Sequence, residues 1–118
     1  MRILYIEDNA NDAKLVQRYV ETTAHELAIA STIEQAYEQL SDSPEFDLIL
    51  IDILINNKRL GYDLAHALRE QGYSRPVIAI TALTSPQDQA ACAEAGFAAV
   101  LLKPFMITAL AKVLLQFS

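Results

Sequence analysis

The chain has 118 residues, enough for one domain with one core, and it is 53% hydrophobic with only three Gly and four Pro, which excludes a disordered chain. A net charge of -6 and a pI of about 4.7 argue against nucleic acid or an anionic membrane as direct partner, because both need a basic surface. The single cysteine, Cys92, admits no internal disulfide and fits a cytoplasmic setting, and no apolar run reaches the roughly 18 residues of a membrane span.

Arg2 to Ile6 reads as a buried strand, and Glu7-Asp8-Asn9 places two acids at its carboxyl tip. Ala10 to Thr23 is predicted as a helix, with Ala13, Val16 and Val20 on one face and Leu15 and Tyr19 at its edge. Leu27 to Ala30 is a short strand. Ser31 or Thr32 caps a second helix whose Ile33, Ala36, Tyr37 and Leu40 recur at helical spacing, and Ser41-Asp42-Ser43-Pro44 ends it.

The central stretch is Phe46-Asp47-Leu48-Ile49-Leu50-Ile51-Asp52. An unbroken aliphatic run this short reads as a strand buried on both faces, which leaves Asp52 at its carboxyl end. A loop rich in Asn, Lys and Arg follows and Gly61 closes it, with Tyr62 to Gln71 helical, Leu64 and Leu68 inward, and Gly72 as the stop. Pro76 to Ile80 is the fourth strand, ending in Thr81. Pro86 opens a helix to Ala95, Gly96 stops it, and Ala98 to Leu102 is the fifth strand, ending in Lys103-Pro104. Phe105 to Phe117 is the last helix.

Five strands alternating with five helices predict an α/β fold, a doubly wound (βα)5 parallel sheet. In such a sheet the tips bearing Glu7/Asp8, Asp52, Thr81 and Lys103 share one edge. Crowded carboxylates repel one another, and a hard divalent cation relieves this; Mg²⁺, or Mn²⁺ in its place, suits such donors and shares a phosphate oxygen readily. Lys103 offers a compact positive charge, Thr81 a hydroxyl, and an Asp carboxylate is itself able to attack phosphorus. With no general base evident, the edge suits a protein that takes up a phosphoryl group and keeps it for a while.

Ile6-Glu7-Asp8-Asn9, Leu50-Ile51-Asp52-Ile53, Ile80-Thr81-Ala82 and Leu102-Lys103-Pro104-Phe105 resemble the four signature blocks of two-component response regulator receiver domains, in order and across the whole chain. The resemblance implies a flavodoxin-like sheet of strand order 2-1-3-4-5, with residues 1–118 as one receiver domain and no output domain in this chain. It implies Asp52 as phosphoacceptor and a histidine kinase or histidine phosphotransfer protein as donor. Asp8, Asp52 and the Leu54 backbone carbonyl would hold Mg²⁺ directly, Glu7 would act through a water, Thr81 would bond the phosphoryl group and Lys103 would pair with it. Such a protein is not a classical enzyme, although it catalyses its own aspartyl phosphorylation and slow dephosphorylation. Two features depart from the family pattern. No Pro follows Asp52 closely, and Gly61 lies nine residues on, where the family often has Gly at eight. Val100 stands where an aromatic residue is common, so the signal is expected to pass through the loop after Thr81 with Val100 as passive packing.

His25 and His66 are surface or loop residues, and Cys92 is a small packed side chain. Leu15 lies where family members dock the donor. The last helix sets Ile107, Leu110, Leu114 and Phe117 inward. Its narrow polar stripe, Thr108, Lys112 and Gln116, flanked by Ala109, Ala111 and an outward Leu115, suits a downstream protein partner at the last two helices, or a homodimer. A phosphatase of the haloacid dehalogenase type needs a second acid where Leu54 stands, and a flavin carrier would not place Glu7-Asp8 at its phosphate loop. A pseudo-receiver, or a receiver fragment of a larger kinase or regulator acting only as a binding module, is the alternative reading.

Overall fold

In the computed structural model, which describes residues 1–42 and 45–118, strands and helices alternate along the whole chain. They are β1 (Arg2–Ile6), α1 (Ala10–Glu21), β2 (Glu26–Ala30), α2 (Ile33–Asp42), β3 (Leu48–Asp52), α3 (Leu60–Glu70), β4 (Val77–Thr81), α4 (Pro86–Glu94), β5 (Ala99–Leu102) and α5 (Ile107–Phe117). The five strands form one parallel sheet in the order β2-β1-β3-β4-β5. Ser43 and Pro44, where the second helix is expected to stop, lie outside the described residues.

The side-chain alternation of the strands divides the core in two. Leu4, Ile6, Ile49, Ile51 and Val77 pack on one side with Ala36 of α2 and Leu64, Ala65 and Leu68 of α3. Ile3, Tyr5, Leu48, Leu50, Ile78 and Ile80 pack on the other with Val16 and Val20 of α1 and Leu110 and Leu114 of α5. Both faces being covered, the inner strands need apolar residues at every position, which is why they read as unbroken aliphatic runs.

Several boundaries differ from the sequence reading. α3 begins at Leu60, and Gly61 lies in its first turn rather than closing the loop. The reason is a close approach: Gly61 N donates to Ile53 O at 3.0 Å, and a Cβ at Gly61 would lie 2.7 Å from both the Asp52 carbonyl oxygen and Ile53 Cα. α5 begins at Ile107 after the cis Lys103-Pro104 peptide, with Met106 extended at its cap, so Phe105 precedes the helix. Thr32, not Ser31, accepts the capping bond of α2, from Gln35 N at 3.1 Å. Tyr37 is exposed at the rim of α2 instead of buried.

The loop after β3 is more ordered than its composition suggests. Ile55 and Lys58 exchange backbone hydrogen bonds of 2.9 and 3.1 Å around Asn56 and Asn57, whose φ values are 55° and 59°. Two consecutive positive φ values are what a type I′ hairpin turn requires, and Asn tolerates them better than other non-glycine residues.

Candidate functional site

The chain leaves β1 toward β2 on one side and returns to β3 on the other, so a crevice opens beyond the carboxyl ends of β1 and β3. Ile6 pairs with Ile51, and the residues just past that pair converge. Carboxylate oxygens of Glu7, Asp8 and Asp52 all lie within 4.8 Å of one another. Glu7 is 1% exposed and Asp52 5%, while Asp8 is open to solvent.

Each acid is held by its own contacts. Glu7 accepts from the buried Tyr5 hydroxyl at 2.9 Å and from Asn9 N at 3.1 Å. Asp8 accepts from Asn56 N at 2.9 Å, so the Asn-Asn hairpin braces the exposed acid. Asp52 accepts from Leu54 N at 3.2 Å. Lys103 closes the group: its Nζ donates to Glu7 at 2.8 Å, to Asp12 at 2.9 Å and to Asp52 at 3.3 Å.

Burial, and then the neighbouring Glu7 carboxylate, push the Asp52 carboxyl up to about 7, against the pull of Lys103. Burial works to lower the Lys103 pKa, but the bonds to Glu7 and Asp12 and the charges of Asp52 and Glu7 outweigh it and hold the ammonium form. Three acids against one ammonium leave the crevice with excess negative charge. Their hard oxygen donors at this spacing fit a small divalent cation such as Mg²⁺, which balances that excess.

Thr81 ends β4 at 1% exposure, and its hydroxyl oxygen accepts from Leu83 N at 3.0 Å. Lys103 N donates to Thr81 O at 2.8 Å, which locks the ends of β4 and β5 together. The structure therefore brings Glu7, Asp8, Asp52 and Lys103 into contact and sets Thr81 on the same sheet edge. Leu54 enters through its backbone N–H.

Three contributors escape the sequence reading. Asp12 is one. The second is Tyr5, which reads as core but carries a hydroxyl to Glu7. The third is an ion pair from the loop after β3 to α4: Arg59 Nε donates to Asp88 Oδ1 at 3.0 Å, and the Tyr62 hydroxyl donates to the same oxygen at 2.8 Å. For Asp12 the only signal is its position in the first turn of the helix that Asn9 caps.

The remaining candidates stand apart. His25 Nδ1 lies 2.9 Å from the amino terminus, at the opposite end of β1 from the acids, and His66 is exposed. Cys92 is buried against Ile53 and Ala79, and burial raises its thiol pKa. Val100 is not packed inside as expected but is 37% exposed. Ala99 and Leu101 of the edge strand face the core shared with α1 and α5, so Val100 and Leu102 turn to the other side, which α4 leaves open. Thr108, Lys112, Leu115 and Gln116 are all exposed on α5. Among the described residues no helix is long and apolar enough to cross a membrane.

The sequence matches the family model described as "Response regulator receiver domain" over residues 3–115. It is 31% identical over 107 residues to the transcriptional regulatory protein CiaR of Streptococcus pneumoniae, covering 91% of this chain and 46% of that protein. It is 35% identical over 104 residues to the transcriptional regulatory protein CpxR of Escherichia coli, covering 88% of this chain and 43% of that protein. The chain thus spans less than half the length of these relatives. Among solved structures it is similar to the chemotaxis protein CheY4 of Vibrio cholerae, with a TM-score of 0.87 at 23% identity over 99% of this chain and 98% of that one, a likeness of fold.

Proposed function

The chain belongs to the family of response regulator receiver domains, and from that premise we propose that it is a phosphoryl-accepting signalling switch with Asp52 as acceptor. The observation that carries the reading is the convergence of Glu7, Asp8 and Asp52 within 4.8 Å, capped by Lys103. An Asp52 carboxylate oxygen forms the bond to phosphorus while the N–P bond of a donor phosphohistidine breaks. The electron pair of that bond stays on the imidazole, which takes up a proton. Hydrolysis reverses the state: water attacks phosphorus, inorganic phosphate leaves and the carboxylate returns.

Asp8, Asp52 and the Leu54 carbonyl would hold Mg²⁺, with Glu7 behind them, and the ion supplies charge neutralisation at the transferring phosphoryl group. Lys103 contributes N–H donors to one phosphoryl oxygen and the Thr81 hydroxyl contributes to another. Neither needs to change protonation state, which suits a reaction governed by positioning and charge. The donor is a histidine kinase or histidine phosphotransfer protein, and residues 1–118 act as one cytoplasmic receiver unit. Output is by protein contact at α4, β5 and α5, where Val100, Leu102, Met106 and Leu115 are exposed apolar residues beside Lys112.

Transfer of radiolabel from a phosphohistidine donor tests the assignment. The label should require Mg²⁺, be labile to alkali and vanish in Asp52→Asn. Undiminished labelling of that variant, with no nearby acid taking over, overturns it.

A further inference from the structure

The lysine that closes the crevice is held by a carboxylate that phosphoryl transfer does not use. Lys103 Nζ has three N–H donors, and three carboxylates engage them: Glu7 at 2.8 Å, Asp12 at 2.9 Å and Asp52 at 3.3 Å. The contact to Asp52 is the longest. Asp12 lies outside the cluster suited to a cation, in the first turn of α1, where its backbone N–H bonds to Asn9 Oδ1 at 3.0 Å. Its side chain is 36% exposed, against 0% for Glu7 and 7% for Asp52. It therefore stands on the solvent side of the lysine, at the mouth of the crevice, beside a shallow cavity of about 250 Å³ lined also by Leu15, Ala82 and Phe105.

We infer that Asp12 is a positioning residue that opposes retention of the phosphoryl group, by drawing Lys103 toward α1 and by adding negative charge at the mouth of the crevice. The inference rests on the reading of Asp52 as phosphoacceptor and deepens it. For a phosphoryl oxygen to receive a Lys103 N–H, one of the three present bonds must open. Opening the bond to Glu7 would take the ammonium from a fully buried carboxylate and leave it only the neutral Tyr5 hydroxyl and Asn9 N, whereas water is able to take over at Asp12. The 3.3 Å bond to Asp52 releases its N–H first, and any further movement of Lys103 toward the phosphoryl group stretches the bond to Asp12, whose strength then counts against the phosphorylated state. The second effect has the same sign, because an anion at Asp52 is repelled by a carboxylate so near Lys103.

Trifluoroberyllate, an anionic phosphoryl mimic, is the probe, with its dissociation constant measured in Mg²⁺ by NMR titration of the whole chain. Asp12→Asn keeps the shape and removes the charge, and it should tighten binding by about threefold to tenfold. Asp12→Glu keeps the charge and should stay near the wild type. Glu34→Gln removes an equivalent acid from the first turn of α2, away from the crevice, and should change nothing. A role confined to supporting the start of α1 would lower thermal stability in Asp12→Asn and leave mimic affinity unmoved, and that result overturns the inference alone. Equal tightening in Glu34→Gln would also overturn it, by tracing the effect to net charge. If the wild type binds no mimic at all in Mg²⁺, the reading of Asp52 falls and this inference falls with it.

Discussion

Arg59 Nε donates to Asp88 Oδ1 at 3.0 Å, which ties the loop after Asp52 to the first turn of α4. Asp88 also accepts from the Tyr62 and Ser85 hydroxyls, each at 2.8 Å, and is 8% exposed. The segment that follows the proposed acceptor and the helix expected to carry the signal thus share one carboxylate.

That carboxylate makes the fold sensitive to acid. The bond from Arg59, then those from Ser85 and Tyr62, hold the Asp88 carboxyl down to about 2 from an ordinary value of 3.8. A depressed carboxyl contributes stability that is fully present above its unfolded pKa and is lost as pH falls through its folded one. Stability from this group should therefore decline between about pH 4 and pH 2. Asp88→Asn should lower the unfolding midpoint at neutral pH and flatten the stability profile across that window. Urea unfolding of both proteins at a series of pH values checks it.

Gly61→Ala should destabilise the fold and disturb the crevice together. A Cβ there would lie 2.7 Å from the Asp52 carbonyl oxygen and from Ile53 Cα, both backbone atoms that yield little. Overpacking of this kind costs about 1–3 kcal/mol. Urea unfolding should show that loss, and Mg²⁺ titration should show weaker binding, because the strain falls on the backbone that carries Asp52.

Neither of these relationships shows in the sequence, although the order of elements and most of the crevice do. The order of elements is legible because β3 and β4 are covered on both faces, which forces aliphatic runs such as Leu48 to Ile51. The gathering of Glu7, Asp8, Asp52 and Lys103 is legible because parallel strands put all their carboxyl tips on one edge. The Arg59–Asp88 pair and the Lys103–Asp12 pair are not legible. They are set by where a loop and a helix pack, across separations of 29 and 91 residues. The Asn56-Asn57 turn shows in the sequence only as polar residues, since nothing in its composition reveals that Asp8 accepts its N–H. The misplaced start of α3 has a similar origin: Gly61 reads as a loop residue, and only the nearby β3 backbone shows why a helix needs it.

Metal binding should depend on how Glu7 is held. Asp8→Ala removes the exposed acid of the cluster and should abolish detectable Mg²⁺ binding. Tyr5→Phe leaves every acid in place but removes the hydroxyl that bonds Glu7 at 2.9 Å. Loss of such a supporting bond typically costs about tenfold in metal affinity. Titration followed by amide chemical shifts measures both, and unchanged affinity in Tyr5→Phe would mean that Asn9 N and Lys103 suffice to hold Glu7.

The switch itself should run through Thr81 rather than Val100. A phosphoryl group on Asp52 brings about 1.5–2 negative charges and three strong acceptors. The Thr81 hydroxyl is able to donate to one of them while still accepting from Leu83 N, at 3.0 Å in this structure, because a hydroxyl does both at once. Any movement of Thr81 toward Asp52 therefore carries the backbone at Leu83 with it. Ser85, two residues on, caps α4 and bonds Asp88, so the displacement reaches the helix start directly. Val100 has no part in this chain: it is 37% exposed on β5 and stiff at χ1. A coupling of about 1–3 kcal/mol between the acceptor and the partner surface is typical of such two-state devices. Thr81→Ala should remove most of it. Val100→Ala should leave most of it intact, with a stability cost below about 1 kcal/mol, as befits a partly exposed position. Partner affinity with and without trifluoroberyllate, measured in both variants, decides the matter. Loss of the affinity change in Val100→Ala and its survival in Thr81→Ala would route the signal through β5 instead.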